Sequence, residues 1–296
     1  MRILITGGSG LLGQYVNIEL AKEHEILTLF NNKSGNTTLF NSANIDITKN
    51  EKLKEVFENF RPEAVIHLAA VASVQNAHAG NRGKVYEINV NATENISKLC
   101  TMYNCKLIYS STDLVYAGYR GEFLKENSKK DPRSLYAETK LIGEAQVIRN
   151  CENYLILRIA LLFGHGLYGR YNHFGSTFEK FRRGESVNLF YDQYRTPLEL
   201  SDTARMIKQL LNPEFTGMIL NVGGSERVSR VDMAEILCEE SGLPKSLINS
   251  ISLYDIQGIP DVQDVSLDIS IMKDAGINPS PIGDSIRRVL NSYHNT

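Results

Sequence analysis

Tyr136-Ala-Glu-Thr-Lys140 sets a phenol and an ammonium four residues apart. On a helix, residues i and i+4 share a face, so Lys140 lies beside whatever Tyr136 touches. A free tyrosine titrates near pH ~10 and exchanges protons poorly at neutral pH. A cation beside it stabilises the phenolate and pulls its pKa toward the working range. With 14 Tyr in 296 residues, about one such pair would arise by chance. Its company makes it informative: Thr6-Gly-Gly-Ser-Gly-Leu-Leu-Gly13 near the start, and Ser110-Ser-Thr-Asp113 at the end of an apolar run. A strand end and the start of the next helix can meet over one cleft. The Thr112 hydroxyl and the Tyr136 phenol could then hydrogen-bond the same carbonyl oxygen.

Gly7, Gly8, Gly10 and Gly13 fit both G-x-G-x-x-G and G-x-x-G-x-x-G, between an expected strand and an expected helix. Glycines let the backbone turn sharply and approach a pyrophosphate, and the helix N-terminus offers it unpaired N–H groups. Gly7, Ser9, Gly10, Leu11, Leu12 and Gly13 are therefore the expected dinucleotide cradle. The second strand ends Leu29-Phe30-Asn31-Asn32-Lys33, with no carboxylate to accept from a ribose 2′-OH. Asn31 and Lys33 suit a 2′-phosphate instead, which favours NADP(H) over NAD(H). Asp46 and Ile47, just before the next helix, are candidates for contacts around the adenine.

The elements that must position these groups alternate between strand-length apolar runs and helix-period segments. That is the pattern of a parallel sheet covered by helices. Strands are expected over 2–6, 26–30, 64–69, 106–111 and 154–160, with helices over 11–22, 50–60, 84–103 and 135–149. Beyond Phe163-Gly164 the regularity loosens. Helices over 174–183, 201–211 and 228–240, strands over 186–190 and 218–222, and a two-piece helical tail from 270 are expected there. The fold class is α/β: a Rossmann-type, doubly wound parallel sheet with a smaller, mostly C-terminal substrate-binding region. Residues 1–162 form the NAD(P)-binding domain, residues near 198–225 return to it, and 163–296 supply mainly the substrate region.

The net charge of -2 offers no basic surface for nucleic acid or a membrane. No run approaches membrane-spanning length, and the opening apolar run is too short for a secretory leader. The four cysteines, Cys100, Cys105, Cys151 and Cys238, show neither CxxC nor Cys/His ligand spacing. Reduced thiols, no metal site and a cytoplasmic location are expected.

TGGSGLLG (6–13), HLAA (67–70), INVNAT (88–93), SSTDLVYAG (110–118), YAETK (136–140) and LIGE (141–144) together resemble the extended short-chain dehydrogenase/reductase family, over nearly the whole chain. LRIALLFG (157–164), DQYRTP (192–197) and DVSLD (264–268) resemble its sugar-nucleotide reductase branch, which contains dTDP-4-dehydrorhamnose reductase. The resemblance implies that Tyr136 protonates the substrate oxygen, that Lys140 holds the nicotinamide ribose and lowers the Tyr136 pKa, and that Thr112 steadies the developing alkoxide. It also implies that Leu68, Ala69 and Ala70 line the cofactor. In the family's dehydratases the Thr is followed by Asp-Glu, whereas here Asp113-Leu114 leaves the elimination set incomplete. The implied reaction is NADPH-dependent reduction of the 4-keto group of a nucleotide-linked 4-keto-6-deoxy sugar. A nucleotide-sugar epimerase, or a non-catalytic regulator resembling a regulatory subunit of methionine adenosyltransferase, is the alternative. Asp113, Phe163 and Arg195 are substrate candidates, the arginine because a guanidinium suits a phosphate. The chain has no Trp, so Phe163, Tyr168 or Tyr171 would supply an aromatic near the sugar. Relatives pair through the two long helices of the first domain, which implies a homodimer.

Overall fold

The computed structural model describes residues 1–72, 81–117, 121–258 and 262–294. In β1 (Arg2–Thr6), Ile3 and Ile5 enter one apolar core and Leu4 enters another, because successive strand side chains point to opposite faces. A sheet built of such strands must be covered on both sides. Its seven strands are all parallel. They run in the order β7 (Met218–Val222), β6 (Tyr154–Ile159), β5 (Lys106–Thr112), β4 (Ala64–His67), β1, β2 (Glu25–Phe30) and β3 (Ser42–Asn44). Strand order reverses between β1 and β4, so the crevice at their carboxyl ends is the place where this topology admits a ligand.

Helices α1 (Leu11–Leu20) and α6 (Leu200–Gln209) cover one face with Val16, Leu20, Ala204 and Ile207. The other face takes α2 (Asn50–Phe60), α3 (Ala92–Met102) and α4 (Leu135–Asn150), through Leu53, Phe57, Ile96, Leu99 and Val147. A third core joins α5 (His173–Arg182), α7 (Arg230–Ser241) and α8 (Ile282–His294) around Phe163, Phe178, Leu237 and Ile286. The four cysteines are buried free thiols. Among the described residues no helix is long and apolar enough to cross a membrane.

Several elements differ from the sequence expectation for local reasons. The helix expected over 84–103 is three pieces: Arg82–Tyr86, a π-helical turn Glu87–Asn91, and α3. The widened turn points Asn89 inward, where its amide donates to Val71 O at 3.3 Å and Thr139 Oγ1 at 3.0 Å and its carbonyl accepts from Val71 N at 2.8 Å. The strand expected over 64–69 ends at His67, because Leu68–Ala70 must pass over the glycine loop. The helix expected from 228 begins at Arg230. Ser229 caps it, and Asp232 returns a bond to the Ser229 N–H at 2.8 Å, a capping box the sequence reading missed. The short strands Ser42–Asn44 and Ile248–Ile251 have too few residues to show a period. Gly118, the last residue of SSTDLVYAG, lies outside the described residues.

Candidate active site

The glycine loop is shaped by close approach. Gly7 turns at φ +73°, and a Cβ there would sit 2.6 Å from Ala69 N. A Cβ on Gly13 would sit 2.2 Å from Gly7 O, so α1 can start against the loop only without side chains. Gly10 begins α1 with no side-chain cap and no acid in the first turn. The helix therefore presents its N–H groups and positive end to the crevice. Ser9 is buried and Leu11 half-buried beside it, whereas the Leu12 side chain belongs to the core. Leu68, Ala69 and Ala70 are half-buried, with Leu68 N bonded to Thr6 O at 3.1 Å. Asn31 and Lys33 stand exposed beyond β2. Asp46 turns onto its own backbone: Thr48 N and Oγ1 donate to it at 3.0 and 2.8 Å, and the backbone bond holds its carboxyl below the usual range. Ile47 is buried in the second core.

Thr112 ends β5, and Ser134 caps α4 by accepting from Ala137 N, which puts Tyr136 in the first turn. The tertiary structure sets Tyr136 beside Thr112, with Lys140 one turn further along the same helix. Thr112 is buried; its hydroxyl donates to Asp113 Oδ1 at 3.1 Å, accepts from Leu114 N at 3.3 Å, and stands near enough to the Tyr136 phenol to influence its titration. Lys140 is 1% exposed, with Nζ 4.0 Å from the centre of the Tyr109 ring. Burial pulls its pKa down to about 7, and Glu144 opposes that shift. The expected depression of the Tyr136 pKa is corrected here. Burial, then Asp113, pushes the phenol up to about 12, against the lowering influence of Thr112. Desolvation of the phenolate outweighs what stabilises it.

Asp113 and Arg195 form a buried pair, Arg195 Nε standing 3.8 Å from Asp113 Oδ2. That oxygen is buried without a hydrogen-bond partner. Burial raises the Asp113 pKa, while Arg195, Thr112 and Arg230 oppose the rise. Arg230, the first residue of α7, donates to Gln193 Oε1 at 3.3 Å; burial, then Arg195, lowers its pKa to about 10. Two guanidinium groups thus face one carboxylate in a poorly solvated place, a setting that an anion would relieve. Arg230 also borders a small pocket of about 30 Å³ lined by Phe163, His173, Phe174, Leu189 and Met233. Phe163 lies inside it, its ring centre 5.2 Å from that of Phe174. Tyr168 and Tyr171 are 61% and 85% exposed and pack into no core.

Sequence reasoning missed three groups. Arg230 resembled any cation on an amphipathic helix. Arg170 donates to Ser9 O at 2.8 Å, placing a guanidinium at the lip of the glycine loop from a segment with no period to read. Glu144 was visible as the residue one turn beyond Lys140, a spacing that could have been read.

A parallel sheet with a glycine cradle at its switch point, and a Thr/Tyr/Lys set at the end of β5, define a dinucleotide-binding fold of the short-chain dehydrogenase/reductase type. The family model described as "RmlD substrate binding domain" matches residues 1–294. The chain belongs to that family, within the extended short-chain dehydrogenases/reductases. It is 29% identical over 296 residues to methionine adenosyltransferase 2 subunit beta of Xenopus laevis, covering 98% of this chain and 87% of that one. To dTDP-4-dehydrorhamnose reductase of Aggregatibacter actinomycetemcomitans it is 27% identical over 292 residues, covering 94% and 95%. The fold superposes on dTDP-4-dehydrorhamnose reductase from Bacillus anthracis, solved in complex with NADP, with a TM-score of 0.85 at 23% identity, covering 98% and 99% of the two chains.

Proposed function

We propose that this chain reduces the 4-keto group of a nucleotide-linked 4-keto-6-deoxy sugar, of the dTDP-4-dehydrorhamnose type, with NADPH. The observation that carries the reading is the intact set of Thr112, Tyr136 and Lys140 beside a glycine cradle that a Cβ at Gly7 or Gly13 would fill. Gly7, Ser9, Gly10, Leu11, Leu12 and Gly13 would hold the pyrophosphate, Leu68, Ala69 and Ala70 the middle of the cofactor, and Lys140 its nicotinamide ribose. Asn31 and Lys33 would meet a 2′-phosphate and Asp46 and Ile47 the adenine side. The nicotinamide, when bound, supplies the hydride.

In this reading Tyr136 gives its proton to the carbonyl oxygen as negative charge builds there. A phenol held near pKa 12 stays protonated until that charge appears, and Thr112 donates to the same oxygen. The orphan oxygen of Asp113 is an acceptor for a sugar hydroxyl. Arg195 and Arg230 face the substrate phosphates. The domain division at 162/163, a cytoplasmic location and a homodimer formed through α3 and α4 complete the proposal; light scattering would report the dimer's mass.

The deciding experiment follows NADPH oxidation against a panel of 4-keto nucleotide sugars. Turnover on a 4-keto-6-deoxy member supports the reading, and silence across the panel overturns it. The likeness to methionine adenosyltransferase 2 subunit beta supports a second reading, a nucleotide-binding regulatory subunit. A binding role has no need of Thr112, Tyr136 and Lys140 together. Interconversion of C4 epimers without net oxidation of the cofactor would instead indicate the epimerase.

A further inference from the structure

We infer that Glu144 is a positioning residue, a buried junction that locks the helix carrying Tyr136 and Lys140 to the strand end carrying Thr112. Glu144 is one turn beyond Lys140 and two beyond Tyr136, on the same face of α4. Its Oε1 accepts from Ser111 Oγ at 2.5 Å and from Arg158 Nε at 3.0 Å, and its Oε2 accepts from Arg158 Nη2 at 2.7 Å. Ser111 is the residue before Thr112. Arg158, in β6, also donates through Nη1 to Tyr116 Oη at 2.6 Å and Glu126 O at 2.7 Å. Tyr116 closes the 3-10 turn Asp113–Tyr116 that follows Thr112, and donates to Asn221 Oδ1 in β7 at 3.0 Å. One ion pair therefore grips the chain before and after Thr112, and the catalytic helix as well.

The pair's side chains are 1% and 3% exposed. A buried ion pair is a poor source of stability, because desolvation consumes most of the attraction and apolar replacements are often neutral or better. What such a bidentate pair does supply is fixed geometry. It also sets charge around Lys140. The groups facing that ammonium are the Tyr109 ring from β5, Glu144 on its own helix, and His67 from β4, whose pKa burial and then Lys140 pull to about 3. Glu144 is the carboxylate of this set and holds Lys140 toward its charged form.

The inference rests on the ketoreductase reading for its rate measurements but not for its titration. Glu144→Gln should fold, bind NADPH within about twofold of wild type, and lose about 10- to 100-fold in kcat with little change in KM. The alkaline limb of its kcat profile should move down by about one pH unit, since removing a nearby opposite charge lowers the pKa of an ammonium. The double variant Glu144→Leu/Arg158→Leu separates positioning from stability: it should melt no lower than wild type yet remain slow. NMR titration of the Lys140 ε-carbon requires no substrate, and should give a lower pKa in Glu144→Gln than in wild type. Wild-type turnover in the double variant, or an unmoved Lys140 titration in Glu144→Gln, overturns the inference. If wild type is inactive on every sugar, the ketoreductase reading fails while the titration still decides the role of Glu144.

Discussion

Burial sets the titration of both central residues, in opposite directions. Tyr136 is pushed up to about 12 and Lys140 down to about 7, each toward its neutral form, because a poorly solvated site penalises the charged one. If Tyr136 is the acid, Tyr136→Phe should cost about 10² to 10⁴ in turnover while NADPH affinity, followed by nicotinamide fluorescence, stays nearly constant; unchanged turnover would remove Tyr136 from the role. Lys140 makes a prediction about stability. Between its folded value near 7 and its ordinary 10.5, the unfolded chain binds a proton that the folded chain does not. Wild type should therefore gain stability from this residue as pH rises through that window. Melting temperatures of Lys140→Met and wild type should differ most, in the variant's favour, near about pH 6, and the gap should close steadily as pH rises toward the ordinary lysine value of 10.5. A difference that widens with pH would contradict the buried-ammonium account.

Among the elements, α4 is the one on which the site depends most. Ser134 starts it, Tyr136, Lys140 and Glu144 share one face, and Gly143 lets it lie against β5. A Cβ on Gly143 would sit 2.2 Å from Tyr109 Oη and 3.1 Å from Asn89 O. On propensity alone Gly143→Ala should stabilise a helix by about 1 kcal/mol. Here it should do the reverse, lowering the melting temperature and turnover together, because the helix must back away from the strand that carries Thr112. A variant as active and stable as wild type would show that the contact relaxes freely. The π-helical turn at Glu87–Asn91 serves the same assembly, since Asn89 ties the loop after β4 to Thr139 of α4. Propensity has no signature for that turn, so the sequence reads as one straight helix.

At the scale of the molecule, the second half of the chain completes the first. β7 joins the sheet beside β6, and α6 packs on α1. The segment after β6 reaches back over the glycine loop, where Tyr15 Oη donates to His165 O at 2.7 Å, Gln14 Nε2 to Leu167 O at 3.2 Å, and Arg170 to Ser9 O. Cofactor bound in the cradle would engage both halves, so saturating NADPH should raise a single melting transition. An excess of about 100 times Kd corresponds to about 2.7 kcal/mol. Gly13→Ala, which places a methyl against Gly7 O, should abolish the shift; a shift of wild-type size would locate the cofactor elsewhere.

What the sequence determined by itself was local and periodic. Apolar runs and helical spacing predict six of the seven parallel strands, all but Ser42–Asn44, and the covering helices α1, α2, α4 and α6. The G-x-G-x-x-G spacing and the Tyr136/Lys140 interval are likewise properties of neighbouring residues, visible without coordinates. Encounters between distant segments became visible only in three dimensions. Asp113, Arg195 and Arg230 meet although they lie in three separate elements, and Arg158 of β6 ties Glu144 of α4 to Tyr116 and Glu126. The reversed direction of the Tyr136 shift belongs with these. A neighbouring lysine can be read from spacing, whereas the desolvation that outweighs it is the sum of everything the fold packs around the phenol.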